Sequence, residues 1–242
     1  MGQVYARRPT LRQRAIDYFQ KALQADTARA ETYYNMAAVY RDMGSAQVVD
    51  MARHALDINP NYGAPYRLLA DYYAAGDWYA TQAEDDLAAR YYTRYLTLEP
   101  DDVDAAVQLG RVLLRLGDSA GLKRTVLPFL KTHPQASTDL LPVAGQSAYK
   151  KEQYETSAAS WQRYLDRLDE GERTLYISPQ PILTQPEAET CAALTPDARQ
   201  AFAHQFWPRQ DLDPTTEVNE RLLEHYARVW LARQSFAQVA YP

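Results

Sequence analysis

Apolar residues recur along this chain at helical spacing, in blocks that stop at glycine or proline. Phe19, Ala22 and Leu23 make one such set, and the same offsets return at Ala52, Ala55 and Leu56, at Tyr92, Tyr95 and Leu96, at Val126, Phe129 and Leu130, and at Trp161, Tyr164 and Leu165. Residues three and four apart share one face of a helix, so each set predicts an amphipathic helix with a buried stripe. The leucines are spaced 33, 40, 34 and 35 residues apart. Pro60, Pro100 and Pro134 follow three of them and punctuate the step to the next block, because proline cannot continue a helix. Between these helices lies a second kind: Tyr33, Met36, Ala37 and Tyr40 before Gly44; Tyr66, Leu69, Ala70 and Tyr73 before Gly76; Ala106, Leu109, Gly110 and Leu113 before Gly117; and a weaker copy at Leu141, Ala144, Gly145 and Ala148. The small residue of each set marks where two helices approach closely, and the glycine suits the turn that ends the first helix.

A period near 34 residues with this order of helix, turn, helix and proline resembles the tetratricopeptide repeat (TPR) family. The resemblance covers about residues 10–168. It implies an all-α fold, a right-handed superhelical solenoid of helical hairpins that cannot bury their faces singly and must stack. Within a solenoid spanning 1–168 the repeats fall at about 30–60, 64–100, 103–134 and 138–168, after a half repeat at 10–27 that has only a second helix. That half repeat is expected to leave an apolar end. The 40-residue step includes about six extra residues around Trp78 to Asp86, expected as an insertion with Trp78 and Tyr79 folded back onto their hairpin.

From Asp169 the period fails. The three prolines in 171–186 predict an extended linker over 169–185, leading to a C-terminal helical extension at 186–242. Helices are expected at Pro186–Leu194, Pro196–Trp207 and Thr215–Phe236, with Thr195-Pro196 as N-cap and first position. Residues 182–236 are similar to the region before the signature tetrad of bacterial GWxTD-domain proteins, through Phe206-Trp207, Asp211, Pro214, Thr216, Asn219-Glu220, Tyr226, Arg228, Ala232 and Phe236. Gln210 and Asp211-Leu212 depart from that pattern, and the sequence contains no Gly-Trp-x-Thr-Asp tetrad. The resemblance implies a bacterial source and no particular activity.

Composition narrows the chemistry. A net charge of −5 gives no basic footprint for nucleic acid. The basic residues are mostly arginine, and with 19 tyrosines they favour planar, stacking and bidentate contacts; the bland reading of the same bias is a GC-rich genome. The single Cys191 excludes an internal disulfide and a cysteine-based zinc site, and reads as a small apolar residue on a helix. No apolar run approaches the roughly 20 residues that span a bilayer. No apolar leader is visible at the start, so the default expectation is cytoplasm; extracellular or periplasmic placement stays open for a trimmed chain. His54, His133, His204 and His225 stand far apart and read as surface or satisfied core residues. Glu84-Asp85-Asp86 and Asp101-Asp102 read as helix starts, not metal ligands. No catalytic, metal or cofactor constellation is expected, and the chain is read as a non-enzyme.

What remains is surface recognition. First-helix residues one turn apart line the groove of such a solenoid: Tyr34, Ala38 and Arg41, then Arg67, Asp71 and Ala74, then Val107, Arg111 and Leu114, then Gln146 and Tyr149. Tyr34, Arg41, Arg67, Asp71, Arg111 and Tyr149 are the candidate partner groove, with three arginines as a ladder for a carboxylate-bearing peptide or a partner's acidic helix. The bland reading is that Arg67 and Asp71, at i,i+4, pair with each other. The primary expectation is a non-catalytic scaffold binding a peptide or protein. The alternative is a structural subunit, conceivably extracellular, that polymerises head to tail as a ring or filament. Its ends would be Ile16, Phe19 and Leu23 on one side and Tyr226, Trp230 and Phe236 on the other.

Overall fold

The computed structural model describes residues 11–75, 81–133 and 137–236. Among these the chain is all-helical, with thirteen α-helices, two 3-10 turns and no strand. The helices are α1 (Arg12–Ala25), α2 (Ala30–Asp42), α3 (Gln47–Ile58), α4 (Gly63–Ala74), α5 (Gln82–Leu98), α6 (Val103–Leu116) and α7 (Ser119–Thr132). They continue with α8 (Ser137–Tyr149), α9 (Tyr154–Leu165), α10 (Glu170–Ile177), α11 (Gln185–Ala192), α12 (Pro196–Phe206) and α13 (Glu220–Phe236). The chain forms two compact units, 1–121 and 122–242. The boundary expected at 168/169 therefore lies inside the second unit.

Local chemistry sets the helix ends. Gly44 and Gly117 both adopt φ near +69°, the left-handed conformation that a side chain disfavours, and each closes a first helix as the sequence predicts. The Asp102 carboxylate accepts from the Ala105 N–H at 2.9 Å and starts α6. Thr81 and Glu84 form a reciprocal capping box at α5. This capping box and the acidic first turn that follows make the second half of the expected insertion a helix start, lengthening α5 to 17 residues. Trp78 and Tyr79 lie outside the described residues.

In the first unit α2 packs on α3 and α4 on α5, as hairpins. The first helices also touch one another, α2 against α4 and α4 against α6. Ile16, Phe19, Met36, Ala37, Val39, Val48, Ala52, Leu68 and Leu69 share one core. That core draws on α1 to α4, so the apolar face of α1 is closed by the hairpin that follows it.

In the second unit α8 and α9 form the tightest hairpin. Gly145 lies against Trp161, whose ring is fully buried, and a methyl group at Gly145 would sit 2.8 Å from Trp161 Nε1. Ser157 Oγ donates to the Gly145 carbonyl at 2.8 Å across the same contact. The C-terminal helix α13 packs on α8, α9 and α10. Trp161, Tyr164, Tyr176 and Trp230 are buried there, and the Tyr164 and Tyr176 hydroxyls bond each other at 2.9 Å.

One expectation is corrected. Residues 169–185 are not an extended crossing: they contain α10 and a 3-10 turn at Gln180–Ile182. Asp169 caps α10 by accepting from the Glu172 N–H at 2.8 Å, and the prolines that suggested a linker, Pro179, Pro181 and Pro186, all follow it. Tyr176 gives the short helix its buried anchor.

Candidate functional site

The first-helix face of the first unit is built around Arg67, on α4. Its Nε pairs with Asp71 Oδ1 at 2.8 Å, its Nη1 with Asp102 Oδ2 at 3.1 Å, and its Nη2 with Asp104. The Tyr92 hydroxyl donates to Asp71 at 2.7 Å, and the Tyr95 hydroxyl donates to Asp102 at 2.8 Å. The guanidinium also lies over both of those rings, 5.6 and 5.8 Å from their centroids. One side chain thus ties α4 to α5 and to the start of α6, joining two successive hairpins.

The electrostatics agree with a satisfied network. Burial disfavours the charged form of Arg67, but Asp104 and Asp71 outweigh it and raise its pKa. Burial likewise works against the Asp102 carboxylate. The Ala105 N–H, the Tyr95 hydroxyl and Arg67 together still hold it below the usual carboxylate range. Burial and then the Asp102 contact push Tyr95 up to about 12. Three carboxylates around one guanidinium leave an excess of negative charge on this face.

The other expected groove residues are placed differently from one another. Tyr34 is half-buried and meets Tyr62 edge-on at 5.4 Å. Arg41 is exposed and pairs with Asp42 at 3.1 Å. Arg111 is buried, with Nη1 donating to Gln108 Oε1 at 3.0 Å. Three open guanidiniums are therefore not what this fold presents: Arg67 is engaged by its own carboxylates, the bland pairing with Asp71 included. Tyr149 belongs to the second unit, half-buried beside Tyr154, where burial and then the charge of Glu224 raise its pKa.

Of the residues expected as assembly ends, Ile16, Phe19 and Trp230 are core. Ile16 is 1% exposed and Phe19 7%, both packed in the first unit, with Leu23 partly buried against them. Trp230 is 2% exposed, and the Tyr226 ring lies 5.8 Å from Trp161. Their apolar faces are used within the chain, so they are not free surfaces. The side chain of Phe236 lies outside the described residues.

Some of the arginines and tyrosines meet one another within the chain. Arg94 lies over Tyr66 and Arg233 over Tyr176, as Arg67 does over its two tyrosines. Among the described residues no His, Cys, Asp or Glu side chains gather as metal ligands, and no helix is long and apolar enough to cross a membrane.

The sequence reading missed a cluster in the second unit, where α13 meets the 3-10 turn Trp207–Gln210. Asn219 Nδ2 donates to the Trp207 carbonyl at 2.6 Å while its Oδ1 accepts from the Leu222 N–H at 2.9 Å, starting α13. Trp207 Nε1 donates to the Ile177 carbonyl at 2.7 Å. These bonds hold the indole against the His225 ring, 4.7 Å between centroids. A signal was available: His225 lies three residues after Leu222 and four before Val229, on the apolar side of its helix. No protein-family model matches this chain, and no curated protein matches it.

Proposed function

We propose that the chain is a non-catalytic interaction module whose hairpins stack in the TPR manner and whose first-helix face receives a peptide or a segment of a partner protein. The observation that carries this reading is the contact of α2 with α4 and of α4 with α6. First helices side by side form a continuous strip, and Tyr34, Asp71 and Asp104 lie on it with exposed or half-exposed side chains. Apolar tyrosine rings beside carboxylates suit a segment that carries Lys or Arg between small apolar groups. The charge preference is opposite to the carboxylate ligand suggested by the arginines alone, because Arg67 is outnumbered by its aspartates.

The test is selection from a displayed peptide library on the immobilised full chain. Selected peptides are expected to be rich in Lys and Arg, and to lose about tenfold in affinity on Asp104→Lys, a reversal at an exposed side chain. Selected peptides that bind equally well to Asp104→Lys and Tyr34→Ala would refute this face.

A further inference from the structure

Arg67 fills a socket whose walls have hydrogen bonds of their own. Asp102 accepts from the Ala105 N–H at 2.9 Å and from the Tyr95 hydroxyl at 2.8 Å. Asp71 accepts from the Tyr92 hydroxyl at 2.7 Å, and Tyr92 is 1% exposed. What these walls enclose is the shape of a guanidinium. Nε, Nη1 and Nη2 each meet a different aspartate, and the central carbon stands 5.6 and 5.8 Å from the Tyr92 and Tyr95 ring centroids. A lysine ammonium is a compact point charge and does not reproduce three donors fixed in one plane over a ring.

The socket reaches solvent on one side. The Arg67 side chain is 22% exposed, and Asp104, the aspartate that meets Nη2, is 66% exposed. The occupant hangs on a flexible unbranched stem, so it can leave without moving the backbone of α4. Exchanging one guanidinium for another keeps the same contacts. Even when occupied, the socket sets three carboxylates against one cation, which draws a second cation toward it.

We propose that Arg67 is an internal stand-in for an arginine of the partner: the socket of Asp71, Asp102, Asp104, Tyr92 and Tyr95 takes the partner's guanidinium when Arg67 swings out. The proposal deepens the first-helix reading and rests on it for the partner, while the socket is testable without one. It names arginine, not lysine, as the residue selected at this point of the face. It also makes Arg67 a brake on binding, because an incoming guanidinium must displace an identical group already in place.

Calorimetric titration of the full chain with N-acetylarginine amide and N-acetyllysine amide tests the socket. Arg67→Ala should bind the blocked arginine saturably and at least about tenfold more tightly than the parent, with a thermal midpoint that rises as the compound is added. The blocked lysine should bind that variant about tenfold more weakly. Arg67→Gln removes the charge but keeps most of the stem, and should show the same order even where alanine leaves the unit unfolded. In the parent, the ¹⁵N signal of Arg67 Nε should move with a selected arginine peptide and not with its Arg→Lys counterpart. If neither variant binds the blocked arginine better than the parent, or both bind the two compounds equally, the socket is not an arginine site. If selected peptides are weakened by Asp104→Lys yet leave the Arg67 signal unmoved, the face stands and the exchange is overturned. If no cationic peptide is selected, the face fails, and binding of the blocked arginine by the variants alone decides the socket.

Discussion

Replacing Gly145 by alanine separates the packing account from helix propensity, because the two predict opposite signs. Gly145 lies inside α8, where exchanging glycine for alanine ordinarily stabilises by about 1 kcal/mol. Here the added methyl would stand 2.8, 3.0 and 3.2 Å from three atoms of the Trp161 indole. That ring cannot swing away: it is fully buried, with Tyr164, Tyr176 and Tyr226 around it at 5.8 to 6.4 Å between centroids. The alternative is for α8 to move off α9, which stretches the buried bond from Ser157 Oγ to the Gly145 carbonyl. Overpacking in a core costs about 1–3 kcal/mol and loss of such a bond about 1 kcal/mol more. Set against the propensity gain, the net expectation is a loss of about 2 kcal/mol. Urea unfolding followed by tryptophan fluorescence measures it well, since Trp161, Trp207 and Trp230 all lie in the second unit. The midpoint should fall with an unchanged slope. Trp161→Phe in the same background should recover at least about 1 kcal/mol by a double-mutant cycle. A Gly145→Ala protein as stable as the parent, or more so, would refute the close approach of α8 and α9.

Three further outcomes follow from other contacts. Asp85 is 5% exposed and takes two hydrogen bonds from Arg115 Nε, both at 3.1 Å, and one from Nη2 at 2.5 Å; Asp85→Ala should cost about 3 kcal/mol in chemical denaturation, whereas a loss below about 0.5 kcal/mol would make the pair dispensable. Arg67→Ala leaves three aspartates facing one another, so it should destabilise the first unit by about 2 kcal/mol at neutral pH, and added salt should restore part of the loss. Because Asp102 is held below its ordinary value, its contribution in the parent is present above about pH 4 and is lost as pH falls through the lower folded value, which a series of denaturation curves at acid pH reads directly. Burial is the main cause that pushes His225 down to about 4, against the backbone at Ser178 and Tyr176, which as acceptor favours the charged ring. Between the ordinary 6.5 and about 4 the unfolded chain binds the proton more tightly, so the second unit should lose about 2 kcal/mol as pH drops through that window, and His225→Phe should flatten the slope.

Much of this architecture was legible in the sequence because short-range chemistry carried it. Gly44 and Gly117 announced left-handed helix ends, Thr195-Pro196 a helix start, and Gly145 a close approach, and each needs only its neighbours to be read. The helix at 170–177 was obscured because the prolines after it outweighed a single capping aspartate and one buried tyrosine. Arg67 shows the limit more sharply. Its partner Asp71 is one turn away and visible, but Asp102 and Asp104 are 35 and 37 residues distant. Only the stacking of hairpins brings them close, and that contact turns an apparent ligand-binding arginine into a tie between helices. Ile16 and Phe19 were likewise read as an open end because a missing partner helix leaves a face bare in a strict repeat, whereas α1 here buries them in the shared core. The cluster at His225 depends on residues from the 3-10 turn Trp207–Gln210 and α13, which no periodicity aligns.

The central claim is that a partner segment lies along the first helices. Hydrogen–deuterium exchange of the full chain, with and without a selected Lys- and Arg-rich peptide, tests it most directly. The account predicts added protection in α2, α4 and α6, centred on Tyr34, Asp71 and Asp104. Protection confined to α3, α5 or the second unit, with the first helices unchanged, would contradict it.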